Sequence, residues 1–335
     1  MRVFSSFQMS MFVVVVCDPT SPVAAAVPQI EGVEFLISNS AAQVKDSGRV
    51  DQVECIIFVA MGAPESALFE MYDVCPSVKW FHCFSTGVDC QQEFTFDKLV
   101  PRPDVILTNG KGAFSESLGE YILMAALHFN KKVTRCLENR QQKNWDKFTM
   151  PVLQGKTIGF VGFGNIAEEG AKRARAFGMK ILAFRRSEQP HPLADECIPM
   201  SRKLELFERS DFVVCTLPGT RETRDFIGAP EFRAMKSDAV FISCGRGFVV
   251  DESALVAALK DPKEGIAAAA LDVFKVEPLP KESPLWDCPN LLLTAHNADF
   301  TSDYMDLGWK VWQQNYQAKV SGQGFVTVVD KEKGY

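Results

Sequence analysis

The stretch Lys156–Ser187, KTIGFVGFGNIAEEGAKRARAFGMKILAFRRS, decides the fold. Thr157–Val161 is an apolar run of strand length. It breaks at Gly162-Phe163-Gly164-Asn165-Ile166-Ala167, a G-x-G-x-x-A turn. Alanines and charges at helical spacing run from Ile166 to Phe177, and Gly178 supplies a C-terminal stop. A second apolar run, Lys180–Phe184, ends in Arg185-Arg186-Ser187. Strand, glycine turn, helix and strand in that order make half of a dinucleotide-binding sheet. Gly162 turns the chain sharply off the strand. Gly164 lets backbone approach a pyrophosphate, and Ala167 is small enough for close helix–strand packing. The helix start at Asn165 and Ile166 then presents N–H groups to phosphate. A glycine turn in a parallel sheet without a nucleotide carries the same local pattern, so the flanking strands carry the distinction.

Those strands continue downstream. Cys197–Met200, Phe212–Leu217, Val240–Cys244, Ala268–Phe274 and Leu291–His296 are apolar and strand-like, and Glu252–Lys260 (ESALVAALK) is helical in pattern. Upstream, Phe12–Cys17, Glu34–Ser38, Glu54–Ala60, Val78–Ser85 and Val105–Asn109 form a second set. The expected fold is α/β, with two doubly wound parallel-sheet domains. A Rossmann nucleotide-binding domain spans 113–296. A smaller flavodoxin-like substrate domain is discontinuous, made of 1–112 and 297–335. The crossover is a buried helix over Ser115–Asn130, with Ser115 or Ser117 as N-cap and Glu120 at capping-box spacing from Ser117. Its charged continuation from Lys131 should stay helical to Trp145. Asp303–Ser321 is expected as one helix, and the tail Phe325–Tyr335 is expected to pack on the first domain. In open parallel sheets ligands bind at the carboxyl ends of strands. That draws attention to Met61-Gly62-Ala63-Pro64 and Ser85-Thr86-Gly87-Val88-Asp89, though plain turn chemistry would look the same.

Composition narrows the function. With 335 residues there is room for two domains and a large core. A net charge of −6 argues against a nucleic-acid binder, and no apolar run reaches membrane-span length. Ten cysteines sit singly, several inside apolar runs, with no zinc spacing, so no metal site is expected. They fit reduced thiols in a cytoplasmic compartment. The leading MRVFSSFQ has one Arg, two Ser and no acid, which keeps organellar targeting open.

The far end of the opening stretch bears on the cofactor. NAD-specific sheets place an acid at the end of the second strand for the ribose 2′-hydroxyl. Here that place holds Arg185, Arg186 and Ser187. Two guanidiniums and a hydroxyl suit a 2′-phosphate, so NADP(H) is favoured, with NAD(H) as the alternative.

From Val213 onward, VVCTLPGTRETRDFIG, FISCGRGFVVDESAL, AALDVFKVEPLP and LLLTAHNADFT resemble, in order, the signature stretches of the D-isomer-specific 2-hydroxyacid dehydrogenases, the family that includes glyoxylate/hydroxypyruvate reductases. WFHCFSTGVD and TNGKGAFSESLGEYIL resemble it more loosely. The resemblance implies an oxidoreductase that transfers hydride between a nicotinamide cofactor and a 2-oxo or D-2-hydroxy acid. It places catalytic residues at Arg246, Glu277 and His296. His296 would be the general acid/base, Glu277 its carboxylate partner, and Arg246 the fork that grips the substrate carboxylate and polarises the carbonyl. Ser85, Thr86 and Gly87 would bind substrate. Leu217, Pro218, Thr223, Cys244 and Asp272 fall where the family meets its cofactor, Asp272 toward the carboxamide and Cys244 as a packed thiol rather than a nucleophile. Trp80, Phe81 and Phe84 raise the prospect of an aromatic substrate, although alternation sends only some toward a cleft. Asn297-Ala298-Asp299 and Lys111 depart from the usual family residues. The family usually forms homodimers through its nucleotide domain. A nucleotide-sensing corepressor of the same fold is the competing function; formate dehydrogenase fits less well because it lacks the acid in the role given to Glu277.

Overall fold

A computed structural model describes residues 10–187 and 189–335. The targeting reading of MRVFSSFQ lies outside the described residues. The chain divides into two compact units, one made of residues up to Ala113 with Asp303–Tyr335, the other of Phe114–Ser302.

The first unit is a five-stranded sheet. Its strands are β1 (Met11–Val16), β2 (Val33–Ser38), β3 (Val53–Phe58), β4 (Trp80–Cys83) and β5 (Ile106–Asn109), in the order β2-β1-β3-β4-β5. Every strand pair is parallel. β1 is buried along its whole length, which is why its sequence is an unbroken apolar run rather than an alternating one. The helix Tyr304–Val320 returns to this unit and is held by aromatics. Trp312 stacks on Trp80 at 5.1 Å between centroids, and Trp309 meets Phe84 edge-on at 5.5 Å. Trp80, Phe81 and Phe84 are all fully buried. They are core residues, and the aromatic-substrate expectation drawn from them is corrected. The tail runs antiparallel to β5 through a Thr108–Val328 bridge, and Lys331 Nζ donates to the carbonyls of Leu99, Arg102 and Val105.

The second unit is a seven-stranded sheet. Its strands are β6 (Thr157–Val161), β7 (Lys180–Phe184), β8 (Glu196–Ile198), β9 (Phe212–Cys215), β10 (Val240–Ser243), β11 (Ala268–Leu271) and β12 (Leu291–Leu293). The order is β12-β11-β10-β9-β6-β7-β8, all parallel. The strand order reverses at β6, whose neighbours are β7 and β9. In open α/β sheets that switch point opens the crevice where dinucleotides bind.

Three boundaries differ from expectation. The serines do not cap the crossover helix Ser115–Asn130; Phe114 stands at its N-cap without a side-chain bond, and Ser117 Oγ donates to the Ala298 carbonyl instead. The charged continuation is a separate helix, Val133–Gln141, because Lys132 adopts a left-handed conformation (φ 53°) that ends the first one. It stops short of Trp145. Residues 297–302 stay with the second unit, because Asp272 and Ser117 bond to the 297–298 backbone.

Candidate active site

The glycine turn sits at the switch point. Gly162 has φ 91°, open to glycine, and a Cβ there would lie 3.0 Å from Leu217 Cδ2. Its N–H donates to the Phe184 carbonyl and its carbonyl accepts from Thr216 Oγ1, so the turn is tied to the ends of both β7 and β9. A Cβ on Gly164 would meet nothing within 4 Å, so the space above this backbone is open. The helix Asn165–Ala176 starts there with no side-chain cap on its first N–H groups. Ala167 is fully buried against the sheet. An open surface over uncapped helix N–H groups is the shape and polarity that a pyrophosphate requires. Gly178, with φ 71°, ends the helix.

At the end of β7, Arg185 and Ser187 are half-buried and Arg186 is exposed. Arg186 pairs with Glu222 at 2.8 Å on the surface, an exposed ion pair of at most about 1 kcal/mol. After β9, Leu217 is half-buried beside Gly162 and Pro218 is exposed. Thr223 is buried, and its hydroxyl is engaged with the Pro218 carbonyl and the Thr220 N–H in a local cap. Cys244 is buried too, and desolvation drives its thiol well above the usual range.

Arg246 follows β10 between two glycines. A Cβ on Gly247 would sit 1.9 Å from the Phe274 carbonyl carbon, so only glycine lets this turn pass β11's exit. The Arg246 guanidinium donates to the Gly245 carbonyl at 3.0 Å, and its charge acts on Glu277, His296 and Asp299.

His296 and Glu277 meet directly, with Nδ1 2.6 Å from Oε2. Oε1 of Glu277 accepts the Phe274 N–H at 2.8 Å, which fixes the carboxylate. The hydrogen bond to Glu277 is the main influence on His296, and it raises the imidazole pKa against the opposing effect of burial. For Glu277, desolvation pushes upward, but the bonds from His296 and the Phe274 N–H, with the charges of His296 and Arg246, hold it below the usual range. The pair is therefore a carboxylate and an imidazole biased toward its charged form. His296 itself has φ 50°, an uncommon conformation for a residue with a side chain, costing of order 1–3 kcal/mol.

Asp272 holds that conformation. Its backbone carbonyl accepts the His296 N–H at 2.8 Å. Its buried carboxylate accepts the Thr294 hydroxyl at 2.7 Å and the N–H groups of Asn297 and Ala298. Most of its acceptor capacity goes to the loop carrying His296, so what the structure gives it is a positioning task. The Tyr121 hydroxyl lies 3.1 Å from Thr294 Oγ1 and extends the network into the crossover helix. The contacts of Thr294, Tyr121 and Ser117 cannot be read from motif spacing, because they join segments distant in sequence; Ser117 carries only the signal of a cap it does not form. Asp299 is desolvated beside His296 and Asp272, and burial raises its carboxyl.

In the first unit, the loop after β4 is held by β5. Asn109 Nδ2 donates to the Thr86 carbonyl at 2.6 Å, Thr86 Oγ1 donates to the Gly110 carbonyl at 3.2 Å, and Gly110 N–H donates to the Ser85 carbonyl at 3.1 Å. Thr327 Oγ1 bonds the Asn109 carbonyl, and the buried Asn315 bonds Thr327. Among the described residues no hydrogen bond occupies the N–H of Thr86 or Gly87. Lys111 is exposed.

Comparison with known proteins identifies the family. Residues 123–298 match the family model described as D-isomer specific 2-hydroxyacid dehydrogenase, NAD binding domain. A glyoxylate/hydroxypyruvate reductase B of Citrobacter koseri is 34% identical over 251 residues, covering 72% of this chain and 75% of that protein. A glyoxylate reductase of Korarchaeum cryptofilum is 32% identical, covering 68% and 69%. The match to a D-3-phosphoglycerate dehydrogenase of Methanocaldococcus jannaschii, 35% identical, covers 59% of this chain but only 38% of that protein. Among solved structures, an NADPH-dependent glyoxylate/hydroxypyruvate reductase from Sinorhizobium meliloti, in complex with NADP and sulfate, superposes with a TM-score of 0.79 at 25% identity, covering 97% of this chain and all of the other. The chain belongs to the D-isomer specific 2-hydroxyacid dehydrogenase family.

Proposed function

We propose that this protein reduces small 2-oxo acids, glyoxylate and hydroxypyruvate among them, to the corresponding 2-hydroxy acids, of D configuration where C2 becomes a stereocentre, with NADP(H) as the preferred cofactor. The observation that carries the reading is the 2.6 Å His296–Glu277 pair lying in the field of Arg246. A bound nicotinamide supplies or accepts the hydride at C2. His296, kept charged by Glu277, gives its proton to the carbonyl oxygen as the alkoxide develops. Arg246 binds the carboxylate and stabilises the charge growing on that oxygen. Ser85, Thr86 and Gly87 are assigned to the substrate, and the two unoccupied N–H groups support the assignment. Gly162, Gly164, Asn165 and Ile166 are assigned to the pyrophosphate, Arg185, Arg186 and Ser187 to the 2′-phosphate, and Leu217, Pro218, Thr223, Cys244 and Asp272 to the walls of the cofactor crevice. Thr223 and Cys244 contribute there through backbone and packing, since their polar atoms are engaged or buried.

We further propose that the protein works as a homodimer through its nucleotide unit. The helix Val133–Gln141 buries none of its residues, and Trp145, 92% exposed, follows it with Met150 and Val152 also exposed. Apolar side chains grouped on a projecting segment suit a second copy.

The test is to follow NADPH and NADH oxidation with a panel of 2-oxo acids. Turnover with the small acids, faster with NADPH, supports the reading. Tight nucleotide binding without turnover on any acid would overturn it in favour of a nucleotide-sensing protein.

A further inference from the structure

Two cysteines bracket the loop assigned to the substrate. Cys83 ends β4 and Cys90 follows Asp89, so Ser85, Thr86 and Gly87 lie between them. Their sulfurs are 3.9 Å apart. Both point at one atom, the Gly87 carbonyl oxygen, which Cys83 Sγ approaches to 3.6 Å and Cys90 Sγ to 3.7 Å. Cys83 is fully buried, whereas Cys90 is exposed. One accessible thiol beside one sheltered thiol is the arrangement of an attacking and a resolving cysteine. The proposed reduction uses neither.

We propose that Cys83 and Cys90 form a reversible thiol–disulfide site that takes peroxide as its oxidant and controls the Ser85–Gly87 loop. The Cys90 thiolate attacks one oxygen of hydrogen peroxide, and the O–O bond breaks. Cys90 becomes the sulfenic acid and hydroxide leaves. The Cys83 sulfur then attacks the Cys90 sulfur, its proton leaves with the hydroxyl as water, and the S–S bond closes. Two thiols lose two electrons and peroxide is reduced to two waters. Closure draws the sulfurs from 3.9 Å to a bond length of about 2.05 Å. Neither thiol can then donate to the Gly87 carbonyl, and the loop must shift with the sulfurs. The hydrogen bond with Cys90, with burial beside it, holds the Cys83 thiol well above its ordinary pKa, and exposure makes Cys90 the group that meets the oxidant first. A dithiol reductant reverses the step by exchange.

The consequence for turnover rests on the assignment of Ser85–Gly87 to the substrate; the chemistry of the site does not. Lysines 79 and 98 flank the pair with no Lys or Arg between them, so trypsin releases both cysteines in one peptide, Trp80–Lys98. The native protein is treated with stoichiometric hydrogen peroxide, alkylated and digested. The expected result is a peptide about 2 Da lighter with no alkylation at either cysteine, restored by dithiothreitol. Cys90→Ser should abolish that species, as should Cys83→Ala. In turnover, oxidation should raise KM for the 2-oxo acid at least several-fold while the KM for NADPH stays put, and Cys90→Ser should make the enzyme insensitive to peroxide. A peptide alkylated at both positions after peroxide would overturn the site. An oxidised peptide with unchanged KM would overturn the control of the loop, and an oxidised peptide in a protein without any turnover would leave the site standing while the assigned activity fell.

Discussion

At the scale of single residues, the proposed reaction depends on which group holds the proton. His296 is raised by its bond to Glu277, so in the reductive direction it is charged and competent below its folded pKa, and activity falls as pH rises through that value. The limb should therefore lie above the ordinary histidine range of about 6.5. Glu277→Gln removes the carboxylate that favours the charged ring, so a pH–rate profile should show the limb moving to lower pH. A limb left in place would show that another group titrates. His296→Ala should lose about 10²–10⁴ in turnover while fluorescence titration still shows NADPH binding. Arg246→Lys keeps a charge but not the planar fork, so KM for the 2-oxo acid should rise sharply in steady-state kinetics, with the KM for NADPH little changed.

At the scale of elements, strand ends explain how residues far apart in sequence come to one edge. Gly162, Leu217, Arg246 and His296 lie just beyond β6, β9, β10 and β12 of one parallel sheet. Gly247 is where the packing is tightest, and Gly247→Ala would force the Arg246 turn off the Phe274 backbone. It should lower the thermal midpoint and turnover together, as a melting curve and an assay on the same sample would show. Asn109 performs the corresponding task in the first unit, joining β5 to Thr86. Asn109→Ala should raise KM for the acid more than it lowers kcat, since it frees a loop assigned to binding rather than to proton transfer. The Arg185/Arg186 pair stands just beyond β7 of the same sheet. Changing both to Ser should raise KM for NADPH well beyond its effect on NADH, and equal effects would remove the 2′-phosphate argument.

Much of this was legible in the sequence, for a physical reason. Strands buried on both faces leave continuous apolar runs, so β1 and β6 announce themselves, and glycine turns mark where backbone must come close. Arg246 and His296 stand just beyond strand ends and Glu277 in the loop after β11, all in recognisable stretches. What did not show was partnership. Ser117 has the spacing of a cap but bonds Ala298, and Asp272 braces the His296 loop through Thr294 and two N–H groups. Trp80 and Phe84 sit beside the loop in sequence yet point into the aromatic cluster of the returning helix. Side-chain contacts across long loops leave no period to read.

At the scale of the whole molecule, the chain builds two parallel sheets, one interrupted in sequence by the other. The family membership and the seven-stranded order support one use for the crevice at its switch point. No helix among the described residues is long and apolar enough to cross a membrane. Sedimentation of the wild type as a dimer, and of a Trp145→Glu variant shifted toward monomer, is the expected outcome for the exposed arm after Val133–Gln141.

The proposed reduction of a 2-oxo acid by NADPH rests on the His296–Glu277–Arg246 group. Its most direct test is the loss of NADPH absorbance when purified protein meets glyoxylate or hydroxypyruvate, run beside His296→Ala. The expected result is turnover in the wild type, product of D configuration from hydroxypyruvate, and near-complete loss in the variant with NADPH still bound. Wild-type protein that binds NADPH and turns over no 2-oxo acid, or a His296→Ala variant of full activity, would contradict it.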